Sequence, residues 1–118
     1  MKFKITPQSI PDVLLIEPTV YADERGYFKE SYNLKDFEEF LPGVKFVQDN
    51  ESKSTRGVLR GLHFQKAPHA QAKLIKVMQG SIWDVAVDIR QESPTFKQYC
   101  FADITAENHH QFFVPRGF

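Results

Sequence analysis

The sequence predicts an all-β domain, either a sandwich or a small barrel, with one short helix. Short segments rich in β-branched and aromatic residues recur along the 118 residues. Turn signals separate these segments roughly every ten residues, which is typical of β-sandwiches and small barrels. Helical periodicity is convincing in one segment only. A chain of this length suits a single domain, which we place at residues 1–118.

Eight segments are predicted as strands. In chain order they are 13–16, 27–32, 45–50, 57–64, 73–78, 82–89, 97–104 and 111–114. The first follows a Pro-Asp pair and ends before Pro18, and the second follows the turn signal at 23–26. Because only Gln79-Gly80-Ser81 separates 73–78 from 82–89, these two strands are predicted to form a hairpin.

The helix is predicted over residues 34–41. Asn33 is a good N-cap residue, and Asp36 follows three positions later. Four apolar side chains then share one helical face: Leu34, Phe37, Phe40 and Leu41. The Pro42-Gly43 pair ends the helix.

The predicted strand 82–89 alternates strictly. Trp83, Val85, Val87 and Ile89 point one way, and Asp84, Ala86 and Asp88 point the other. Carboxylates at alternate positions can line a polar cavity or can face solvent. The alternation alone leaves both interpretations open.

Composition and charge exclude several classes of protein. The 15 basic and 15 acidic residues balance, so neither a nucleic-acid surface nor a membrane-binding face is indicated. No apolar run is long enough to span a bilayer. Cys100 is the only cysteine, so an internal disulfide is excluded. We expect Cys100 to be a buried, inert thiol. With no apolar signal core after Met1, these features predict a cytoplasmic protein.

The segment Arg56–Gln65 carries the strongest chemical signal. Histidine is the side-chain type whose ordinary pKa lies near neutrality. His63 stands in an apolar, Gly-punctuated frame, where it can act as a general base while Arg60 holds an anion. Strict alternation places these two side chains on opposite faces, so we expect a bulge at Gly61. A purely structural histidine stays an alternative.

A second group of polar residues could complete such a site. The Lys73 ammonium can stabilise an enolate, although a strand lysine facing solvent explains the same pattern. A polar cluster surrounds two of the strands and by itself is typical of turns and surfaces. Its members are Arg25, Glu30, Gln48, Asp49 and Asn50.

Other chemistries fit the residues poorly. No His-x-His pair occurs, and the adjacent His109 and His110 would point to opposite faces of a strand, so no metal centre is expected. Gly57 and Gly61 lack the Gly-Lys-Ser/Thr ending of a phosphate-binding loop. No serine lies in a nucleophile-elbow pattern.

A series of motifs over nearly the whole chain resembles the dTDP-4-dehydrorhamnose 3,5-epimerase family of nucleotide-sugar epimerases. The series is specific for the family, but relatives that epimerise only C3 are similar. The matching stretches are 23–30, 46–50 with Ser52 and Ser54, 57–65, 70–74, 84–90 with 93–96, 106–108, and 115–118.

The resemblance implies a cupin-type jelly roll that works as a homodimer without a metal or organic cofactor. The implied substrate is dTDP-4-dehydro-6-deoxy-D-glucose, epimerised at C3 and C5. His63 matches the general base, and Lys73 matches the residue beside the sugar oxygens. Substrate-binding roles are implied for seven further residues: Gln48, Asp49, Asn50 and Arg60 at the nucleotide diphosphate, and Arg25, Phe28 and Glu30 at the nucleotide end, across the dimer.

Members of the family extend further than this sequence, so the jelly roll is expected to be incomplete after Phe118. The resemblance places the tyrosine acid and the aspartate that orients the base in that later part. Two alternatives to the double epimerase therefore stay open. One is an epimerase acting on C3 alone, and the other is a nucleotide-sugar binding module without catalysis.

Overall fold

A computed structural model describes residues 2–118, which form eight strands and one helix. The elements are β1 (Phe3–Pro7), β2 (Leu14–Pro18), β3 (Val20–Asp23), β4 (Gly26–Lys29), α1 (Leu34–Phe40), β5 (Lys73–Lys76), β6 (Ser81–Val87), β7 (Tyr99–Thr105) and β8 (Gln111–Val114). The all-β prediction with one short helix is confirmed.

The main sheet has four antiparallel strands in the order β1-β2-β8-β5. Two smaller sheets accompany it, the β3–β4 hairpin and the antiparallel β6–β7 pair. Strand β8 lies between β2 and β5, where Phe113 pairs with Leu14 on one side and Leu74 on the other. The last strand of the described chain therefore joins its beginning to its middle.

Neighbouring phenylalanines on β8 divide the core into two layers. Phe113 faces α1 and Phe112 faces β6–β7, because successive strand side chains point to opposite sides. On the helix side the buried residues are Phe3, Leu14, Ile16, Phe37, Leu41 and Phe113. On the other side they are Ile10, Val13, Ala86, Cys100, Ile104 and Phe112. Each fully buried phenylalanine contributes about 1.5–3 kcal/mol through removal of apolar area from water.

The helix forms where its capping and apolar pattern predict it. The Asn33 side chain accepts a 2.7 Å hydrogen bond from the Asp36 backbone amide. Phe37 is fully buried and meets the Phe3 ring edge-on at 5.0 Å. The helix ends one residue earlier than predicted, with Leu41 as its C-cap.

The strands predicted at 45–50 and 57–64 are wrong. Residues 41–72 contain neither helix nor strand, and most of their side chains are exposed. A strand needs a neighbouring strand to satisfy its backbone groups. Within residues 2–118 no segment pairs with either stretch. Their alternating pattern is therefore not sufficient to form a ladder.

The predicted hairpin between 73–78 and 82–89 is also wrong. Strand β5 pairs with β8, and β6 pairs with β7, so the two segments belong to different sheets. The turn at Gly80 has a φ of +83°, and its carbonyl accepts a hydrogen bond from the Ala106 amide at the far end of β7. The chain crosses from one layer to the other at this glycine.

The alternation of β6 left open whether its carboxylates face inward or toward solvent, and the structure decides this. Asp84 is half-buried, Ala86 is 4% exposed and Asp88 is fully buried, whereas Trp83 is 62% exposed. The face that carries the carboxylates therefore points inward, toward the main sheet.

Cys100 is buried as expected, and burial raises the pKa of its thiol.

Within residues 2–118, the helix α1 has seven residues and is too short to cross a membrane.

Candidate active site

Lys73 and Asp84 lie on the two inner faces of the jelly roll. On β5, Lys73 shares a face with Ile75, which pairs with Phe112 in the layer against β6–β7. On β6, Asp84 shares a face with the buried Ala86. The two charged side chains therefore lie on facing sides of opposite sheets, where Lys73 is exposed and Asp84 is half-buried.

The electrostatics of Asp84 link Lys73 to His63. Burial raises the pKa of Asp84, and the charges of Lys73 and His63 act in the opposite direction. Charges influence one another over roughly 10 Å at moderate ionic strength. Asp84 on β6 therefore experiences the charges of both Lys73 on β5 and His63 in the segment before β5.

His63 lies in the exposed segment between α1 and β5. Gly61 has a φ of +114°, a conformation that favours glycine, and an added Cβ there would lie 3.5 Å from His63 Nδ1. The predicted bulge at Gly61 is wrong, because the segment has no strand in which a bulge could form. The imidazole is nevertheless accessible rather than packed into the core.

The predicted diphosphate-site residues lie in the same segment as His63. Arg60 donates from Nε to Ser54 Oγ at 2.9 Å and from Nη2 to the Lys53 carbonyl at 3.1 Å. Gln48 donates to Asn50 Oδ1 at 3.1 Å, and Asp49 is exposed. In the described part of the chain no hydrogen bond joins Arg60 to this second group.

The predicted nucleotide-end residues lie on or next to the β3–β4 hairpin. Arg25 forms an ion pair with Asp23 at 2.6 Å in the hairpin turn, and Phe28 is 69% exposed. Glu30 follows β4 and bonds to Lys2 and to the cap residue Asn33. The nine predicted residues thus fall into separate groups, and two of them, Lys73 and His63, both act on the pKa of Asp84.

Asp84 is the residue that the sequence did not assign to the site. Its signal was the two-residue alternation of β6, which was compatible with an outward carboxylate as well. Which face is inner depends on the packing of β6 against Phe112, and alternation contains no information about that contact.

The described residues contain no group of three or more His, Cys, Asp or Glu side chains placed to hold a metal ion. The chemistry that Lys73, Asp84 and His63 offer is that of an accessible imidazole and an exposed ammonium. Such a pair suits proton transfer beside an oxyanion.

The family model for dTDP-4-dehydrorhamnose 3,5-epimerase matches residues 7–118. The chain is also 56% identical over 110 residues to the dTDP-4-dehydrorhamnose 3,5-epimerase of Shigella flexneri, which covers 92% of this chain and 61% of the relative. This chain belongs to the dTDP-4-dehydrorhamnose 3,5-epimerase family. It spans about three fifths of the length of the curated family members that it matches.

Solved structures of the family superpose closely on the chain, which confirms the predicted cupin-type jelly roll as its fold class. The dTDP-6-deoxy-D-glucose-3,5-epimerase of Legionella pneumophila, in complex with dTDP-4-keto-L-rhamnose, has a TM-score of 0.93 and 48% identity, covering 98% of this chain and 62% of its own. ChmJ, a 3'-monoepimerase of Streptomyces bikiniensis in complex with dTDP-quinovose, has a TM-score of 0.85 and 32% identity, covering 92% and 56%.

Proposed function

We propose that the chain is the N-terminal part of an epimerase that converts dTDP-4-dehydro-6-deoxy-D-glucose to dTDP-4-dehydro-L-rhamnose, in dTDP-rhamnose biosynthesis. The observation that carries the proposal is the family match over residues 7–118, which includes an accessible His63. Lys73 and Asp84 on the inner sheet faces support it. A cytoplasmic location stays a prediction from the sequence.

The proposed chemistry is proton transfer without redox change. His63 takes the proton from the carbon next to the C4 ketone, and the electron pair of the C–H bond moves into the carbonyl to form an enolate. The Lys73 ammonium stabilises the negative oxygen. The acid that the resemblance places after Phe118 gives its proton to the same carbon from the opposite face, which inverts the centre and regenerates the ketone, and His63 releases its own proton to solvent. The same steps at C3 and at C5 produce the double epimer.

The proposed substrate contacts follow from charge and shape. A diphosphate requires fixed positive charge, and an arginine supplies it through two parallel hydrogen bonds. We assign Arg60, with Gln48, Asp49 and Asn50, to the diphosphate end. The exposed Phe28 offers an aromatic face to the thymine base, and Arg25 and Glu30 flank it.

We also propose that the protein is a homodimer in which this hairpin reaches the partner's site. The tip of the β3–β4 hairpin is exposed in the single chain, with Tyr21, Tyr27 and Phe28 each more than 60% accessible. An aromatic tip of this kind suits burial against a second copy.

Deuterium incorporation tests the function. We expect that incubating the full-length protein that contains this chain with the 4-keto sugar nucleotide in deuterated water places deuterium at both C3 and C5, located by NMR. His63→Ala should lower the exchange rate by about 10²–10⁴-fold, the usual effect of removing a general base. His69→Ala, an exposed histidine of the same segment, is the matched control and should exchange at the wild-type rate.

Deuterium at C3 alone would instead establish the C3-only epimerase, a candidate favoured by the likeness to the ChmJ 3'-monoepimerase. Binding of dTDP without any exchange would identify a nucleotide-sugar binding module. If the protein shows neither dTDP binding nor exchange, the proposal is contradicted.

A further inference from the structure

The β3–β4 hairpin carries Arg25 and Phe28 but pairs with neither of the other sheets. Something else must therefore set its direction relative to the body. Below the exposed tip, one side chain of the hairpin is hydrogen-bonded to a residue 80 positions away. Lys29 Nζ lies 2.8 Å from His109 Nδ1, in the turn between β7 and β8.

His109 contacts the hairpin through a second group. The Tyr27 ring meets the imidazole edge-on, with centroids 4.6 Å apart and an interplanar angle of 67°. The Lys29 ammonium also lies 5.6 Å from the centre of the Tyr27 ring. Lysine, histidine and tyrosine thus form a closed triangle, of which two corners belong to the hairpin and one to the body.

The turn that presents His109 is itself fixed. His109 has a φ of +59°, which is unusual for a residue other than glycine. The next side chain back, Asn108, accepts from the amides of Thr105 and His110 and donates to the Asp103 carbonyl at 3.0 Å. These Asn108 hydrogen bonds hold the turn in the conformation that directs the His109 side chain toward Lys29.

The charges around the triangle require a neutral imidazole. Lys29 has only N–H donors, so His109 Nδ1 must accept and the ring proton must be on Nε2. Burial and the charge of Lys29 lower the pKa of His109; Glu107 raises it and His110 lowers it. Burial and the charge of Lys76 lower the pKa of Lys29. Those groups from β4, β5 and the turn are the ones that act on the pair.

We propose that His109 is a positioning residue that holds the β3–β4 hairpin on the body and thereby places Arg25 and Phe28 for the nucleotide. This role rests on the proposed function, whereas the contact itself does not. The imidazole acts through the hairpin and touches no substrate.

Two substitutions at His109 separate the effect of losing the side-chain contact from the effect of changing the backbone conformation. Glycine and asparagine both tolerate the positive φ, but only asparagine keeps an acceptor atom bonded to Cγ, where Nδ1 is now. We expect His109→Gly to accelerate amide hydrogen exchange in residues 20–29 by about tenfold or more. His109→Asn should stay within about threefold of wild type. Lys29→Met, which breaks the contact from the other side, should resemble His109→Gly.

His110→Gln is the matched control, because the neighbouring histidine contacts Glu17 on β2 rather than the hairpin. It should leave hairpin exchange unchanged. A spectroscopic signature completes the test: Lys29→Met should shift the ¹⁵N resonance of His109 Nδ1. Unchanged hairpin exchange in both His109→Gly and Lys29→Met would overturn the anchoring role.

The positioning role is measured with dTDP as the probe. We expect His109→Gly to weaken dTDP binding by about tenfold, and His109→Asn to restore it, because an unanchored hairpin must be ordered on binding. A loosened hairpin with unchanged dTDP affinity would overturn the positioning role. If wild type fails to bind dTDP while His109→Gly still loosens the hairpin, the proposed function and the positioning role are overturned and the contact stands.

The contact should also respond to pH. A protonated His109 carries a proton on Nδ1 and repels Lys29. The neutral ring therefore contributes stability above its ordinary pKa of 6.5, and this is lost as the pH falls through the lowered value in the folded chain. Protection factors of residues 20–29 should fall over that range in wild type but stay flat in His109→Asn; flat protection in both overturns the anchoring role.

Discussion

Two aspartates on the inner side of β6 have opposite electrostatic effects on stability. Burial raises the pKa of Asp84, against the weaker influence of Lys73 and His63. Hydrogen bonds from Arg90, Ser93 and Thr95 lower the pKa of Asp88 far below its ordinary value, even though its side chain is fully buried. Both residues are aspartates on the same face of β6. The number of hydrogen-bond donors to each carboxylate decides whether its pKa is raised or lowered.

This difference predicts opposite pH profiles for Asp84→Asn and Asp88→Asn. Asp84 contributes stability that is present below its ordinary pKa of 3.8 and is lost as the pH rises through the raised value. Asp84→Asn should therefore increase the free energy of unfolding at pH 7 by about 0.5–1 kcal/mol, with the gain disappearing near pH 3.

Asp88→Asn is the opposite case. Asp88 stabilises above its ordinary pKa of 3.8, and the contribution is lost as the pH falls toward the lowered value. The variant should lose about 3 kcal/mol at pH 7, since one partner of a buried ion pair is removed. Urea unfolding of both variants from pH 3 to pH 8 measures the two profiles. Parallel profiles would contradict this assignment of the two carboxylates.

At the scale of single elements, α1 depends on its N-cap residue, Asn33. A seven-residue helix is too short to be stable alone, so it requires its cap and its packing. Asn33 supplies the cap through the Asp36 amide and also holds Glu30, which connects the helix to the end of β4.

Asn33→Ala should therefore destabilise the chain by about 1 kcal/mol, the usual effect of losing an N-cap. Lys35→Ala, an exposed position in the first turn of the helix, is the control and should change stability by less than about 0.5 kcal/mol. Thermal unfolding monitored by circular dichroism measures both. An equal loss in the two variants would show that the cap contributes nothing specific.

The elements that the sequence predicted correctly are those determined by nearby residues. Asn33 and Pro42 bound the helix, and alternation over 82–89 places β6. The predictions at 45–50, at 57–64 and for the 73–89 hairpin were wrong because strand pairing is non-local. Leu74 and Ile75 pair with Phe113 and Phe112, nearly forty positions later, and no turn residue indicates that choice.

The candidate site was predictable to a similar extent. Motif similarity assigned individual residues to roles, and those roles stay predictions. The inward position of Asp84 required the packing of β6 against the main sheet. The contact between Lys29 and His109 could not be predicted, because it joins a hairpin to a turn 80 residues away and has no periodic signal.

At the scale of the whole molecule, Arg90 connects three distant parts of the chain. It bonds Asp88 at the end of β6 at 2.9 Å and Asp12 before β2 at 2.8 Å, and its guanidinium lies 4.8 Å from the Phe118 ring centre. Gly117 allows this approach, since an added Cβ would lie 2.5 Å from Arg90 Cγ. The Ile89 amide donates to the Gly117 carbonyl beside it.

Arg90→Met should therefore lower the free energy of unfolding by about 3 kcal/mol, because it leaves the buried Asp88 carboxylate without its cation. This corresponds to a decrease in Tm of roughly 10 °C for a chain of this size. Arg116→Met, an exposed arginine of the same final segment, is the control and should have little effect. The double variant Asp88→Asn, Arg90→Met should lose clearly less than the sum of the two single losses, since the penalty comes from one unpaired charge. Additive losses would show that Arg90 stabilises the fold through packing on Phe118 and not through the ion pair.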